Sequence, residues 1–315
     1  MLNDLVTLGT SDIQIRPLGI GGWSWGDRVL WGYGRSHIDS DIQAAIKTSL
    51  ADGVTLIDTA EAYTFGSRSE EILGVNLREL GAQAIIATKF MPYPWRLSRS
   101  TLLRALKNSL RRLGLDNVDL YQIHMPFPPL PIEFWAFALV EALESGLTRA
   151  VGVSNYNSDQ MLKTHEILDS HGYSLSSNQV SYHLLNRKIE QNGLLQACQD
   201  AKISLIAYSP LAQGVLTGKY SVDHPLPGIR GMIYGKKLLA SVQSLLQLMG
   251  KIGQSHGGKT TAQVALNWLI CKKTIPIPGA KNAHQAHDNA GALGWRLTEE
   301  EVAKLDETSK HLVGE

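Results

Sequence analysis

The chain has 315 residues, 43% hydrophobic and 19% charged, enough apolar material for a large core and a length suited to one large domain or two modest ones. A formal net charge of +1 excludes a whole-molecule electrostatic bias toward nucleic acid or acidic membrane surfaces, though not a local anion site. Cys198 and Cys271 lack zinc spacing and fall in apolar-periodic stretches, so they read as buried free thiols in a reducing compartment. An early acidic residue, Asp4, and the absence of any run of about 18 apolar residues argue against a signal peptide and a transmembrane helix, and a cytoplasmic setting is expected.

In chain order, residues 5–8 and 13–16 flank Gly9-Thr10-Ser11-Asp12 and predict a small hairpin. A first core strand follows at 18–20. Next come a loop rich in glycine and aromatics at 21–34 and a helix over 39–52. Strand and helix then alternate: strand 54–57, helix 69–80; strand 84–88, helix 98–113; strand 118–123, helix 132–145; strand 149–153, helix 158–170; strand 177–180, helix 193–201; strand 204–207. An excursion over 210–258 carries one extra helix. Helix 261–271, strand 274–277 and helical segments at 283–291 and 298–311 complete the chain.

About eight strands, each followed by a helix, is the arithmetic of a (β/α)8 TIM barrel, here with an N-terminal β-hairpin and extra helices, spanning residues 1–315 as one domain. A doubly wound sheet is the alternative. It usually carries a Gly-rich turn from its first strand into a helix, and Gly19, Gly21 and Gly22 lead instead into an aromatic loop.

Catalytic groups of a barrel come from the C-terminal ends of its strands. Asp58 follows the run TLI, Lys89 closes IIATK, and His124 closes DLYQIH, while Tyr63 lies in the loop leaving the second strand. Taken singly, Asp58 reads as a helix cap, Lys89 as a solvated strand end, Tyr63 as packing and His124 as a structural hydrogen-bonder. Four ionisable groups at three neighbouring strand ends are harder to explain by packing, because buried Asp and Lys are costly unless paired. Their chemistry is coherent. An ammonium at Lys89 lowers the pKa of a Tyr63 phenol, Asp58 keeps Lys89 protonated, and His124 donates to a substrate oxygen. The set suits protonation of an alkoxide forming from a carbonyl, and the hydride must come from a nicotinamide cofactor.

DTAEAY (Asp58–Tyr63), Thr88-Lys89, YQIH (Tyr121–His124), GVSNY (Gly152–Tyr156), NQVSY (Asn178–Tyr182), AYSPLAQGVLTGKY (Ala207–Tyr220) and PIPGAKNAHQAHDN (Pro276–Asn289) stand in order along the chain and resemble the motifs of the aldo-keto reductase family. The resemblance implies a barrel that binds NADP(H) across its strand ends and reduces a small-molecule carbonyl compound. Tyr63 is then the general acid, completed by Asp58, Lys89 and His124. It implies that Ser154, Asn155 and Gln179 bind the nicotinamide carboxamide and that Tyr208 stacks on the ring. Ser209, Leu211, Gln213 and Gly214 then follow the pyrophosphate, Lys281 meets the 2′-phosphate, and Gln285, Asp288 and Asn289 meet the adenosine. Gly22, Trp23 and Gly279 join the cofactor set. Asp288 stands where the family usually has Glu, and Lys281 where many relatives use Arg, a point charge in place of a fork.

The aromatic loops at the expected rim predict an apolar pocket, with Trp25, Trp95 and Phe127 as its lining. His284 and His287 are three apart on a predicted helix but lack a third ligand, so no metal is expected. Two other readings compete: an NADPH-binding regulatory or redox-sensing subunit with little turnover, and a Schiff-base aldolase using Lys89. No nucleic-acid or membrane partner is expected, and physiological substrate and oligomeric state stay open.

Overall fold

Residues 4–64 and 68–312 are described by a computed structural model. The strands are β1 (Val6–Thr7), β2 (Gln14–Ile15), β3 (Gly19–Gly21), β4 (Leu56–Asp58), β5 (Ile85–Phe90), β6 (Val118–Ile123), β7 (Thr148–Ser154), β8 (Leu175–Ser181), β9 (Ser204–Tyr208) and β10 (Ile275–Ile277). The helices are α1 (Asp39–Ala51), α2 (Arg68–Leu80), α3 (Ser100–Leu113), α4 (Ile132–Glu144), α5 (Ser158–Asp169), α6 (Lys188–Gln191), α7 (Leu194–Asp200), α8 (Ile229–Ile233), α9 (Lys236–Ser241), α10 (Gln243–Ser255), α11 (Thr261–Cys271), α12 (Ala283–Ala290) and α13 (Glu299–Lys310).

Eight strands, β3 to β10, lie in one sheet in sequence order, each parallel to its neighbour. Parallel strands covered on both faces are apolar along nearly their whole length, as in the run Val118–Ile123, five of whose six residues are buried. The sheet closes where Gly21 N donates to Pro278 O at 2.9 Å and Gly21 bridges Gly279. A Cβ on Gly21 would lie 3.0 Å from Ile277 O, so a side chain there would push the first and last strands apart. This closure, rather than a dinucleotide turn, accounts for the glycines of the first strand. The fold is the (β/α)8 barrel expected from the sequence.

The hairpin β1–β2 is antiparallel and plugs the far end of the barrel. Its Leu8, Ile13 and Ile15 are buried against Leu56, Ala87, Leu120, Ala150, Ile206 and Ile275. The outer helices follow their apolar spacing. In α3, Leu102, Ala105, Leu106, Leu110 and Leu113 form the buried face, and Gly114, in the left-handed region at φ 71°, ends it. Capping boxes start α5 (Asn157 with Gln160), α11 (Thr260 with Gln263) and α13 (Thr298 with Glu301).

The excursion after β9 departs from expectation. It holds three helices, α8, α9 and α10, and a 3-10 segment over Ala212–Thr217, where one helix was predicted. Pro225, Pro227, Gly228 and Gly235 break its apolar periodicity into pieces too short to read.

Candidate active site

Strand geometry brings the four expected groups together. Asp58 is the last residue of β4, Lys89 the penultimate residue of β5, and His124 the first residue past β6. A turn in which Tyr63 N donates to Ala60 O returns the tyrosine over the strand ends. Lys89 Nζ donates to Asp58 Oδ2 at 2.5 Å, to the Thr59 carbonyl at 2.9 Å and to the Tyr63 hydroxyl at 2.9 Å. Tyr63 OH lies 3.2 Å from Asp58 Oδ2, and the His124 ring meets the Tyr63 ring edge to face at 5.7 Å. Lys89 and Asp58 are fully buried.

Burial governs the proton affinities here. It lowers the Lys89 ammonium, and the Asp58 carboxylate opposes that shift. All three Lys89 N–H groups are engaged, so its nitrogen holds its proton and has no lone pair for imine formation. Burial first, then Asp58, pushes the Tyr63 phenol well above its usual range. This corrects the expectation of an acidified phenol: Lys89 shares its charge with Asp58, and desolvation of the phenolate outweighs it. His124 is pulled down to about 3 by burial and by Lys89, so it is neutral at ordinary pH. Its Nδ1 is buried without a partner among the described residues.

Asp58 Oδ1 accepts from Gln179 Nε2 at 2.8 Å, which ties the next polar cluster to the first. Asn155, with φ 61°, donates from Nδ2 to the His124 carbonyl and to Ser154 Oγ, each at 3.0 Å. It accepts from Tyr208 OH at 3.0 Å, and Ser154 Oγ donates to Gln179 O at 2.8 Å. Ser154, Asn155, Gln179 and Tyr208 are therefore one connected group beside the tetrad. Beyond Tyr208 the backbone is unusual: Ser209, Ala212 and Gln213 all have φ near 50°, and Gly214 has φ 104°. Such a run of left-handed residues turns backbone groups inward at the cost of strain, a pattern concentrated at ligand sites. Leu211 packs against the core there.

At the far end, Lys281 Nζ donates to Trp31 O at 2.6 Å, and its N–H donates to Gln285 Oε1 at 2.9 Å. Arg230 and Lys281 both lie over the Trp31 ring, at 4.8 and 5.3 Å. Burial, then Arg230 and Lys219, pull Lys281 down to about 8. Arg230 Nε, Gln213 Oε1 and Trp31 Nε1 are all buried without partners among the described residues. Neither Arg230 nor Lys219 was singled out from the sequence. Their only signal is charge in a stretch of prolines and glycines, with no periodicity to say which way they face.

Other expected contacts are placed differently. Trp25 is fully buried, and its Nε1 donates to Ala280 O at 2.9 Å. It anchors the aromatic loop to the segment before α12 and, having no exposed surface, does not take the place in a pocket lining expected for it. Trp23 instead has its ring 6.4 Å from that of Tyr63. Trp95 is 73% exposed and stacks on Tyr93 at 4.7 Å, and Phe127 is on the surface margin. Asp288 Oδ1 accepts from Thr260 Oγ1 and Gln263 Nε2, both at 3.0 Å, so the shorter carboxylate is already drawn toward the start of α11. Asn289 Nδ2 donates to Gly279 O. Ser69 ties the site to α2, donating to Gly22 O at 2.8 Å and lying 2.8 Å from Thr59 Oγ1. His287 faces Asp52 at 2.8 Å on the exposed side of α12.

Residues 17–310 match the model of the Aldo/keto reductase family. A pyridoxal reductase of the chloroplast from Arabidopsis thaliana is 40% identical over 95% of this chain and 84% of its own length. An NADH-specific methylglyoxal reductase of Escherichia coli is 29% identical over 98% of both chains. The solved glycerol dehydrogenase of Gluconobacter oxydans superposes with a TM-score of 0.84 at 27% identity, covering 99% of this chain and 97% of that one.

Proposed function

The chain belongs to the aldo/keto reductase family, and from that premise we propose that it reduces aldehydes and ketones to alcohols with NADPH, Tyr63 being the general acid. When bound, a reduced nicotinamide would supply the hydride. The observation that carries the reading is the buried chain Asp58–Lys89–Tyr63, with contacts of 2.5 and 2.9 Å, beside a neutral His124.

Neutral His124 donates an N–H to the carbonyl oxygen and orients it. Tyr63 holds its proton through neutral pH and releases it only to a stronger base, the alkoxide oxygen. As the phenolate forms, the Lys89 ammonium already hydrogen-bonded to it stabilises the charge, and Asp58 holds that ammonium in place. The elevated pKa of Tyr63 keeps the proton on the phenol until an alkoxide is present to take it.

Ser154, Asn155 and Gln179 would hold the carboxamide, and Tyr208 the ring face. Gly22, Trp23, Ser209, Leu211, Gln213, Gly214 and Gly279 line the path between, and Gln285, Asp288 and Asn289 the adenosine end. What supports NADPH over NADH is the cluster of Lys281, Arg230 and Lys219. Arg230 and Lys219 depress Lys281, and the Arg230 Nε and Trp31 Nε1 donors, unpartnered among the described residues, lie beside it. An additional phosphate would relieve both costs.

For substrate, Trp23 beside Tyr63 and the stacked Tyr93–Trp95 pair favour a flat aromatic aldehyde. Arg96, the cation over Tyr93, is bound by Glu61. An unphosphorylated aromatic aldehyde such as pyridoxal is the candidate, in line with the name of the plant relative. The test is NADPH oxidation with pyridoxal, pyridoxal phosphate, benzaldehyde and methylglyoxal. Turnover of pyridoxal and benzaldehyde well above pyridoxal phosphate is expected. Cofactor oxidation at background with every carbonyl would leave a binding subunit as the better description.

A further inference from the structure

Lys89, Gln122, Gly152 and Ser177 are register partners on the adjacent strands β5, β6, β7 and β8. They form one row across the barrel, and Gln122 and Ser177 are fully buried. Gly152 makes room for the row: a Cβ there would lie 2.2 Å from Ser177 Oγ and 3.0 Å from Gln122 Cγ. Into that gap Gln122 turns its amide. Its Nε2 donates to Asp58 Oδ1 at 3.4 Å, and its Oε1 accepts from Gln179 Nε2 at 3.4 Å and from Ser177 Oγ at 3.5 Å. Gln179 Nε2 also donates to Asp58 Oδ1 at 2.8 Å, which closes a ring of three side chains.

The amide orientations follow from chemistry. An ionised carboxylate only accepts, so both amides must present nitrogen to Asp58. Both Gln179 N–H groups are then engaged within the chain, one by Asp58 and one by Gln122. What Gln179 can offer a nicotinamide carboxamide is its Oε1 acceptor. A buried amide costs free energy unless its partners are present, so an apolar residue would serve packing alone better at position 122.

We propose that Gln122 is a positioning residue: through this ring it fixes Asp58 as the anchor of Lys89 and fixes Gln179 as a hydrogen-bond acceptor toward the cofactor. This rests on the reading of Asp58, Tyr63 and Lys89 given above. It predicts coupling between the reaction and cofactor binding that neither residue would show alone.

Two variants test it, Gln122→Met and Gln122→Glu, each checked by thermal unfolding. Four quantities are read: NADPH affinity by quenching of tryptophan fluorescence without substrate, kcat, KM for the aldehyde, and the pH–rate profile. Gln122→Met is expected to bind NADPH about tenfold more weakly and to lose about tenfold in kcat, with little change in aldehyde KM. Glu at 122 can donate to Asp58 only when protonated, and a like charge beside it raises its pKa. Gln122→Glu is therefore expected to be active at acid pH and to lose both activity and NADPH affinity as pH rises, where the parent protein is flat. Parent-like affinity, kcat and pH profile in a folded Gln122→Met or Gln122→Glu protein would overturn the proposal. Tyr63→Phe serves as the control. If it keeps full activity, the general-acid reading fails. If it is inactive while the Gln122 variants behave like the parent, only the positioning role fails.

Discussion

Replacing Lys89 with Met removes one half of an ion pair in which both side chains are almost completely buried. Asp58 would keep its Oδ1 bonds from Gln179 and Gln122 but lose the 2.5 Å partner on Oδ2. Leaving one charge of a buried pair without its partner costs about 3–5 kcal/mol, a large fraction of a typical domain's stability. The double variant Asp58→Asn with Lys89→Met carries no buried charge at this place and should recover most of the lost stability at neutral pH while remaining inactive. Urea unfolding of the parent, the single and the double variant between pH 4 and 8 measures all of this. A Lys89→Met protein within about 1 kcal/mol of the parent at pH 7, or a double variant no more stable than the single, would refute the reasoning.

Three further outcomes are expected. Lys281→Ala and Arg230→Ala should each weaken NADPH by about 10–100-fold, the loss of a charge-assisted hydrogen bond, and NADH far less; fluorescence titration with both cofactors checks this. His124, depressed from 6.5 to about 3, contributes stability that is present above about pH 6.5 and lost as pH falls toward about 3. His124→Gln should flatten part of the acid limb in urea unfolding, and kcat/KM of the parent should show no histidine ionisation between about pH 5 and 8. Trp25→Phe should cost about 1 kcal/mol through the lost bond to Ala280 O, with NADPH affinity reduced and aldehyde KM unchanged, as steady-state kinetics and thermal unfolding can show.

The barrel was legible because its signal repeats. Each short apolar run such as Ile85–Phe90 is followed by a helix with apolar residues at three- and four-residue spacing. Asp58, Lys89 and His124 were legible for a related reason: a polar residue closing a buried parallel strand stands out against the run before it. Trp25 and Trp23 were not separable in sequence, since two residues apart in a glycine-rich loop the pattern does not say which indole turns inward. The structure settles that by giving Trp25 an acceptor in the core. Arg230 and Lys219 escaped because contacts between distant loops leave no local period. Gln122 sits inside the motif YQIH, but it lies within the strand and does not close it as His124 does. Its meaning depends on Gly152 and Ser177, which only the strand register brings alongside it.

Tyr63→Phe tests the assigned proton donor most directly, because only a hydroxyl is removed and the Lys89–Asp58 pair stays. Single-turnover oxidation of pre-bound NADPH by aldehyde should slow by about 10²–10⁴-fold, with NADPH affinity within about twofold of the parent. Hydride transfer at the parent's rate in that variant would contradict the assignment.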